Sequence, residues 1–364
     1  MHVLLLADAP FAEHERALIE RVAAGVTGEG VRVTVAIPKR TETQFSLLTD
    51  PIRYSDRGLM LTHRIRAEQV AAAVGGSVSK ASGLIDVVHA FGGGAWTIAG
   101  TLAEIFGSAL AFELWRGGLT DRLEGISPPT GVVAACFAPD RPIERAVTSS
   151  GTDLSIRLTP WGCYSPPAPT PVFRSGATAS MVFVSSGRDG DQCRQAFEGA
   201  CRVIAQSTDV MMFVAADAVN RAGLWKIAER VGVLDRLTLI DRLEDRRDLI
   251  LCCDMIVYPD TRHEQRTILL DAMAHGLVIV AAGDPLVSVI VDGVTVKSPE
   301  SVTTVAWQEA VAGVLADRSA AIALGLSARE HIRKNRRASA HIASLIDAYT
   351  WLAGADSVPI DSRV

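Results

Sequence analysis

Residues 254–283, DMIVYPDTRHEQRTILLDAMAHGLVIVAAG, decide the fold. Met255, Ile256, Val257 and Tyr258 form a short apolar run, expected as a buried strand over 254–258 that closes at Pro259-Asp260. A polar loop follows. Over 265–275 the apolar residues Leu269, Leu270, Met273 and Ala274 fall at helical spacing, and Gly276 stands where a glycine ends a helix in the left-handed conformation. A second strand, 277–282, begins at once. Strands that read as continuous apolar runs, joined through a helix, belong to a parallel sheet covered on both faces.

The same alternation extends outward in both directions. Further strands are expected at 181–186, 209–215, 236–241 and 293–297, with helices at 191–206, 221–231, 244–252 and 303–316. Upstream, strands are expected at 2–7, 31–37, 84–91, 109–114 and 131–138, with a weaker one at 154–159. Helices are expected at 13–28, 64–75 and 95–106. Between the two series, prolines 166, 167, 169 and 171 exclude helix and central strand alike. The chain therefore divides into a domain over 1–163, a proline-rich linker over 164–180 and a second domain over 181–330. A C-terminal helix over 331–352 and a tail over 353–364 complete it. The fold class is α/β, with two Rossmann-like doubly wound domains. In open sheets of this kind ligands bind at the carboxyl ends of the strands, and two sheets face to face would place that site in an interdomain cleft.

The 364 residues are 48% hydrophobic and 21% charged, which excludes a disordered chain. Aromatics make up only 5%, so the core is aliphatic. A net charge of −5 argues against a broad nucleic-acid footprint. No apolar run approaches the roughly 20 residues that cross a bilayer. The N-terminus lacks the basic region of a secretion signal and reads as a first buried strand. The six cysteines form no Cys-x-x-Cys pair and read as reduced structural thiols in a cytoplasmic protein. The basic run 333–337 reads as a solvated helix face, with weak membrane-surface contact as the sharper option.

The segment Asp271-Ala272-Met273-Ala274-His275-Gly276-Leu277-Val278-Ile279-Val280 resembles the donor-binding core of GT-B glycosyltransferases of the glycogen-synthase-like retaining type (family 4). That family carries a Glu in the loop, a second Glu eight residues later and an "E-A-M-A-x-G-x-P-V-V-A" helix–strand pattern. Here His263 takes the first position, with Glu264 beside it, and Asp271 takes the second. The resemblance implies that His263, Glu264 and Asp271 contact the donor sugar and ribose. Arg266 and Thr267 open a helix whose N-terminal amides, carrying about half a positive charge, suit a diphosphate. Gly187-Arg188, followed by Arg194, resembles the family's phosphate-site Gly-Arg and Lys, which implies that both arginines hold the diphosphate. Leu243 stands near the expected base site. Residues 329–352 resemble the helix that crosses back to the first domain.

The first half resembles the family in layout and departs from it in detail. Asp8-Ala9-Pro10 replaces a glycine turn, and Asp8, Gly92 and Gly93 form the expected acceptor-side loops. His89 reads as a structural histidine at a strand end. Trp115 and Arg116 stand where the family carries a catalytic His, so no catalytic residue is assigned. The resemblance implies a hexosyltransferase that moves a sugar from a nucleotide-diphosphate sugar to a hydroxyl, with retention, and without a metal or other cofactor. The acceptor would be a glycan or lipid-linked molecule. Five departures from the family pattern also support an alternative, a catalytically inactive binding or scaffold protein.

Overall fold

The computed structural model describes residues 1–41, 45, 50–56, 62–123 and 125–355. It divides into two compact units. The first comprises Met1–Trp161 together with the chain from Ala338 onward, and the second comprises Gly162–Arg337.

The first unit runs β1 (His2–Ala7), α1 (Ala9–His14), α2 (Arg16–Gly28), β2 (Arg32–Pro38), β3 (Ile52–Tyr54), α3 (His63–Gly75), β4 (Val87–Phe91) and α4 (Trp96–Phe106). It continues with β5 (Ala109–Glu113), α5 (Thr120–Leu123), β6 (Ala134–Ala138), α6 (Arg141–Ser149) and β7 (Ser155–Leu158). The second unit runs β8 (Ala179–Phe183), α7 (Gly190–Gln206), β9 (Val210–Ala215), α8 (Ala216–Ala222), α9 (Leu224–Val231) and β10 (Leu237–Ile240). After these come α10 (Arg247–Ile250), β11 (Met255–Tyr258), α11 (Thr267–His275), β12 (Val278–Ala281), α12 (Thr304–Ala316) and α13 (Arg318–Asn335). The chain then returns to the first unit with α14 (Ala338–Ala355).

The first sheet has seven strands in the order β3-β2-β1-β4-β5-β6-β7, and the second has five in the order β10-β9-β8-β11-β12. Every pairing is parallel. The central strands β1, β4 and β5 are buried at every residue, as strands covered on both faces must be. In the second unit Met181, Phe183, Met212, Val214, Val257 and Val280 share one core with Phe197 of α7 and Trp307 of α12. Among the described residues no single helix is long and apolar enough to cross a membrane.

Several expected elements take a different form. The helix expected at 13–28 is two helices broken at Glu15, because Asp8 caps an earlier start and Pro10 suits a first turn. Gly223 in left-handed backbone splits 221–231 in the same way. The strand expected at 293–297 forms only isolated bridges around a turn in which the Gly293 N–H donates to the Val296 carbonyl. Residues 320–352, which read as a long helix or a helix pair interrupted by basic residues, form the pair α13 and α14 with the break at Arg336, whose carbonyl accepts from the Cys163 N–H and whose guanidinium donates to the Ser288 hydroxyl at 2.7 Å. Arg333 and Lys334 both pair with Glu330. The proline-rich stretch packs with the second unit. The Thr170 N–H donates to the His275 carbonyl, Arg329 donates to the carbonyls of Pro166 and Pro167, and Asp254 accepts from the Phe173 N–H. The prolines, which lack an N–H, contribute carbonyls that accept, and Thr170 and Phe173 contribute N–H groups that donate. Of the expected tail, 353–355 belong to α14 and the rest lies outside the described residues.

Candidate functional site

The carboxyl ends of β8 and β11, adjacent strands of the second sheet, are fastened to each other by Asp260. This nearly inaccessible carboxylate accepts from the Ser185 hydroxyl at 2.5 Å and the Ser186 N–H at 2.8 Å. The Gly187 and Arg188 N–H groups are taken up by the Ser185 and Ser186 hydroxyls. Gln192 in α7 donates to the Pro259 carbonyl, and the Thr261 hydroxyl lies within 3.2 Å of both Asp189 and Gln192. Arg262 donates to the Arg188 carbonyl at 3.1 Å, and the Arg188 guanidinium stands 3.7 Å from Glu264. Arg188 and Glu264 are thus brought together on a braced pair of loops. Arg194 does not join them: it pairs with Asp191 in the first turn of α7, and 45% of its side chain is exposed.

The loop after β11 continues into α11, whose N-cap residue supplies no side-chain cap hydrogen bond. Arg266 occupies the N-cap and is buried, as are Glu264 and Thr267. Beneath this loop lies the Tyr258 phenol, pushed well above the ordinary tyrosine range by burial, with Asp260, Arg266, Glu264 and Asp284 as its charged neighbours. His263 has left-handed backbone, φ +60°. Its N–H and its ring Nδ1 both meet the carboxylate of Asp284, at 2.9 and 2.7 Å.

One turn into α11, Asp271 meets Arg247 at 2.5 Å. The same guanidinium also binds Glu244 and the Thr267 hydroxyl. The carboxylate expected to face a ribose is therefore half of a buried ion pair, and Thr267 is engaged by the same cation. Leu243 packs its side chain against the core of the unit.

On the first unit, Asp8 and Gly92 do meet. The Asp8 carboxylate accepts from the Phe11 N–H and the Gly94 N–H, both at 2.9 Å. Gly92, at φ +88°, leaves no room for a side chain, since a Cβ there would sit 2.2 Å from an Asp8 oxygen. A Cβ on Gly93 would meet Arg122 and Leu119 at 2.8 Å. Burial, opposed by those two N–H groups, raises the Asp8 carboxyl above the ordinary carboxylate range. His89 is wholly buried in a closed chain. Burial keeps Tyr349 protonated, and with Nε2 turned to the Glu113 carboxylate the neutral ring's Nδ1 accepts from the Tyr349 hydroxyl at 2.7 Å. Nε2 then donates to Glu113 at 3.0 Å, and Trp161 donates to the other Glu113 oxygen at 2.7 Å.

Asp260, Asp284 and Arg247 escaped the sequence reading, and Glu113 was noted only as the carboxylate nearest Trp115 and Arg116. Asp260 and Asp284 do carry a signal, a carboxylate just past an apolar strand. Arg247, within Arg246-Arg247, is indistinguishable from an ordinary helix-face charge.

No protein-family model matches this chain, and no curated protein matches it in sequence. Solved structures do match its shape. The sucrose-phosphate synthase from Thermosynechococcus elongatus is 14% identical with a TM-score of 0.74, over 98% of this chain and 100% of that one. HepE from Anabaena, in complex with UDP and glucose, is 14% identical with a TM-score of 0.72, over 97% and 100%. A glycosyltransferase from Rickettsia africae is 11% identical with a TM-score of 0.67, over 96% and 98%. With two parallel Rossmann-like sheets in the observed strand orders, this chain has the GT-B fold of the glycosyltransferases.

Proposed function

We propose that this protein is a glycosyltransferase that binds a nucleotide-diphosphate sugar on its second unit and transfers the sugar to a hydroxyl. What carries this reading is one convergence. Arg188, the loop 259–266 and the N-terminus of α11 lie together at the carboxyl ends of β8 and β11. Strand ends of this kind receive ligands in open α/β sheets, and helix N-termini receive phosphates. Arg188 is the principal diphosphate cation, with Arg266 and Thr267 on the same loop and helix start, and Arg194 would join them only on leaving Asp191. His263 and Glu264 address the sugar. Asp271 addresses the ribose once Arg247 shares it, and Leu243 supports the base from the core side. The arginines and α11 amides would offset the charge that develops on the leaving diphosphate, which supports transfer without a metal. The family resemblance supports retention. HepE was solved with UDP and with UDP-glucose, which makes uridine nucleotides the first probes.

The test is thermal. A ligand bound only by the folded state stabilises it by mass action, by about 2.7 kcal/mol at a hundred times its dissociation constant. Among UDP, GDP, ADP and their sugars at millimolar concentration, one base series should raise Tm by about 5 °C. Arg188→Ala should abolish that rise while leaving the unliganded Tm within about 2 °C. Absence of a rise with every nucleotide overturns the reading.

A further inference from the structure

Asp284 lies three residues beyond β12, and its side chain is 1% exposed. Its carboxylate receives three hydrogen bonds. One oxygen accepts from the His263 N–H at 2.9 Å, and the other is reached by the His263 ring Nδ1 at 2.7 Å and the Leu286 N–H at 2.9 Å. Two of these partners are backbone N–H groups, which can only donate, so Asp284 is an acceptor here. Nδ1 therefore carries the proton, and in the neutral ring the lone pair resides on Nε2.

The rest of the geometry keeps that lone pair available. His263 holds left-handed backbone, which costs a non-glycine residue energy and persists where the surroundings impose it. The two-point grip of Asp284 on backbone and ring is such an imposition. The ring is 40% exposed, and Nε2 meets no partner among the described residues. It sits one residue from Glu264, which faces Arg188, and three from the N-cap of α11.

We propose that Asp284 is the positioning residue of a His263–Asp284 pair, and that His263 Nε2 accepts a hydrogen bond from a hydroxyl of the sugar in a nucleotide-sugar ligand. This assignment rests on the reading of the second unit as a nucleotide-sugar site. A histidine can donate or accept, and the carboxylate fixes Nδ1 as its donor, so that in the neutral ring Nε2 is the acceptor. The ligand group it selects is a hydroxyl, not the diphosphate.

Calorimetric titration of UDP, GDP and ADP against UDP-glucose, GDP-mannose and ADP-glucose tests the pair. His263→Asn shortens the reach to the sugar, whereas His263→Gln carries an amide to about the position of Nε2 without needing Asp284. Loss of one hydrogen bond predicts about a tenfold weaker nucleotide-sugar Kd in His263→Asn and Asp284→Asn, with the free nucleotide within twofold. His263→Gln should stay within about threefold, and Asp284→Asn added to it should cost less than a further twofold. If His263→Asn binds the nucleotide sugar as well as wild type does, the hydroxyl contact is overturned. Equal losses for nucleotide and nucleotide sugar overturn it too, because the contact would then be to phosphate. If Asp284→Asn costs as much in the His263→Gln background as in the wild-type chain, the positioning role is overturned. No binding of any nucleotide removes the underlying reading itself, a result distinct from all of these.

Discussion

His275 closes α11 with its ring half-buried, facing the Thr170 hydroxyl at 3.1 Å. Burial is the larger influence on it and lowers its proton affinity below the usual 6.5, while Asp271 opposes. A histidine depressed in the folded state binds fewer protons there than when unfolded. Its contribution to stability is therefore full above about pH 6.5 and is lost as pH falls below that value. His2 and His331 are depressed by burial as well and add the same sign. Tm should fall between pH 7 and pH 5, and His275→Gln should flatten part of that slope in melts across the range; an unchanged slope would refute the role. The same scale shows where sequence reading stops. His263 and Glu264 were singled out because the family resemblance places a donor-contacting residue in this loop between a strand and a helix. The partner of His263 lies 21 residues later, across another helix and strand. The partner of Asp271 lies 24 residues earlier. Such pairings follow from tertiary placement, which no spacing rule encodes. Asp8 was legible as a loop residue, but its use on two backbone amides was not.

At the scale of elements, the segment from Gly162 to β8 owes its course to one carboxylate. Asp254, just before β11, accepts from the Phe173 N–H, the Ser180 N–H at 2.7 Å and the Ser180 hydroxyl at 2.8 Å. Phe173 holds φ +51° at that point. Replacing Asp254 by Ala strands two backbone N–H donors, the Ser180 hydroxyl being free to rotate, at a cost of about 1–3 kcal/mol for each unsatisfied group. Asp254→Ala should therefore lower the stability of the second unit by about 3 kcal/mol, read by denaturant melts. Asp254→Asn, which keeps one acceptor, should cost about half as much. A loss under about 0.5 kcal/mol in the alanine variant would show that the segment is held by other contacts. Strands of both sheets were legible because buried parallel strands are continuous apolar runs. Helix breaks at Glu15 and Gly223 were less so. Each joins two stretches of acceptable helical pattern, and the break is set by a cap or a backbone conformation and not by hydrophobic period. Helix α6 was missed although Ile143, Ala146 and Val147 fall at helical spacing, because nine residues give that period barely two turns. Its signal is the start Asp140-Arg141-Pro142, where the Asp140 side chain accepts from the Arg141 N–H.

At the scale of the whole chain, the second unit is an insertion between Trp161 and Ala338 of the first. The first unit is complete only when its last helix has been made. Leu345, Tyr349 and Leu352 of α14 are at most 1% exposed. Arg157 stacks over Trp351 at 3.8 Å. Within the buried chain, Tyr349 alone satisfies His89 Nδ1, and without it a polar atom is left unpaired beside the Glu113 carboxylate. Burying those three side chains contributes about 1.5–3 kcal/mol each, comparable in sum to the entire net stability of a domain. A fragment spanning 1–161 should therefore lack a cooperative melt, and fusing 338–355 to it through a flexible linker should restore one. A fragment spanning 162–337 carries its own five-stranded sheet and core and should melt cooperatively alone. Circular dichroism on the three fragments decides the matter. A 1–161 fragment as stable as the same unit in the full chain would mean that α14 rests on a finished core and does not complete it. Tyr349→Phe in the full chain separates the hydrogen bond from the packing. It should cost about 1–3 kcal/mol through the unpaired His89 nitrogen while leaving the apolar contacts in place.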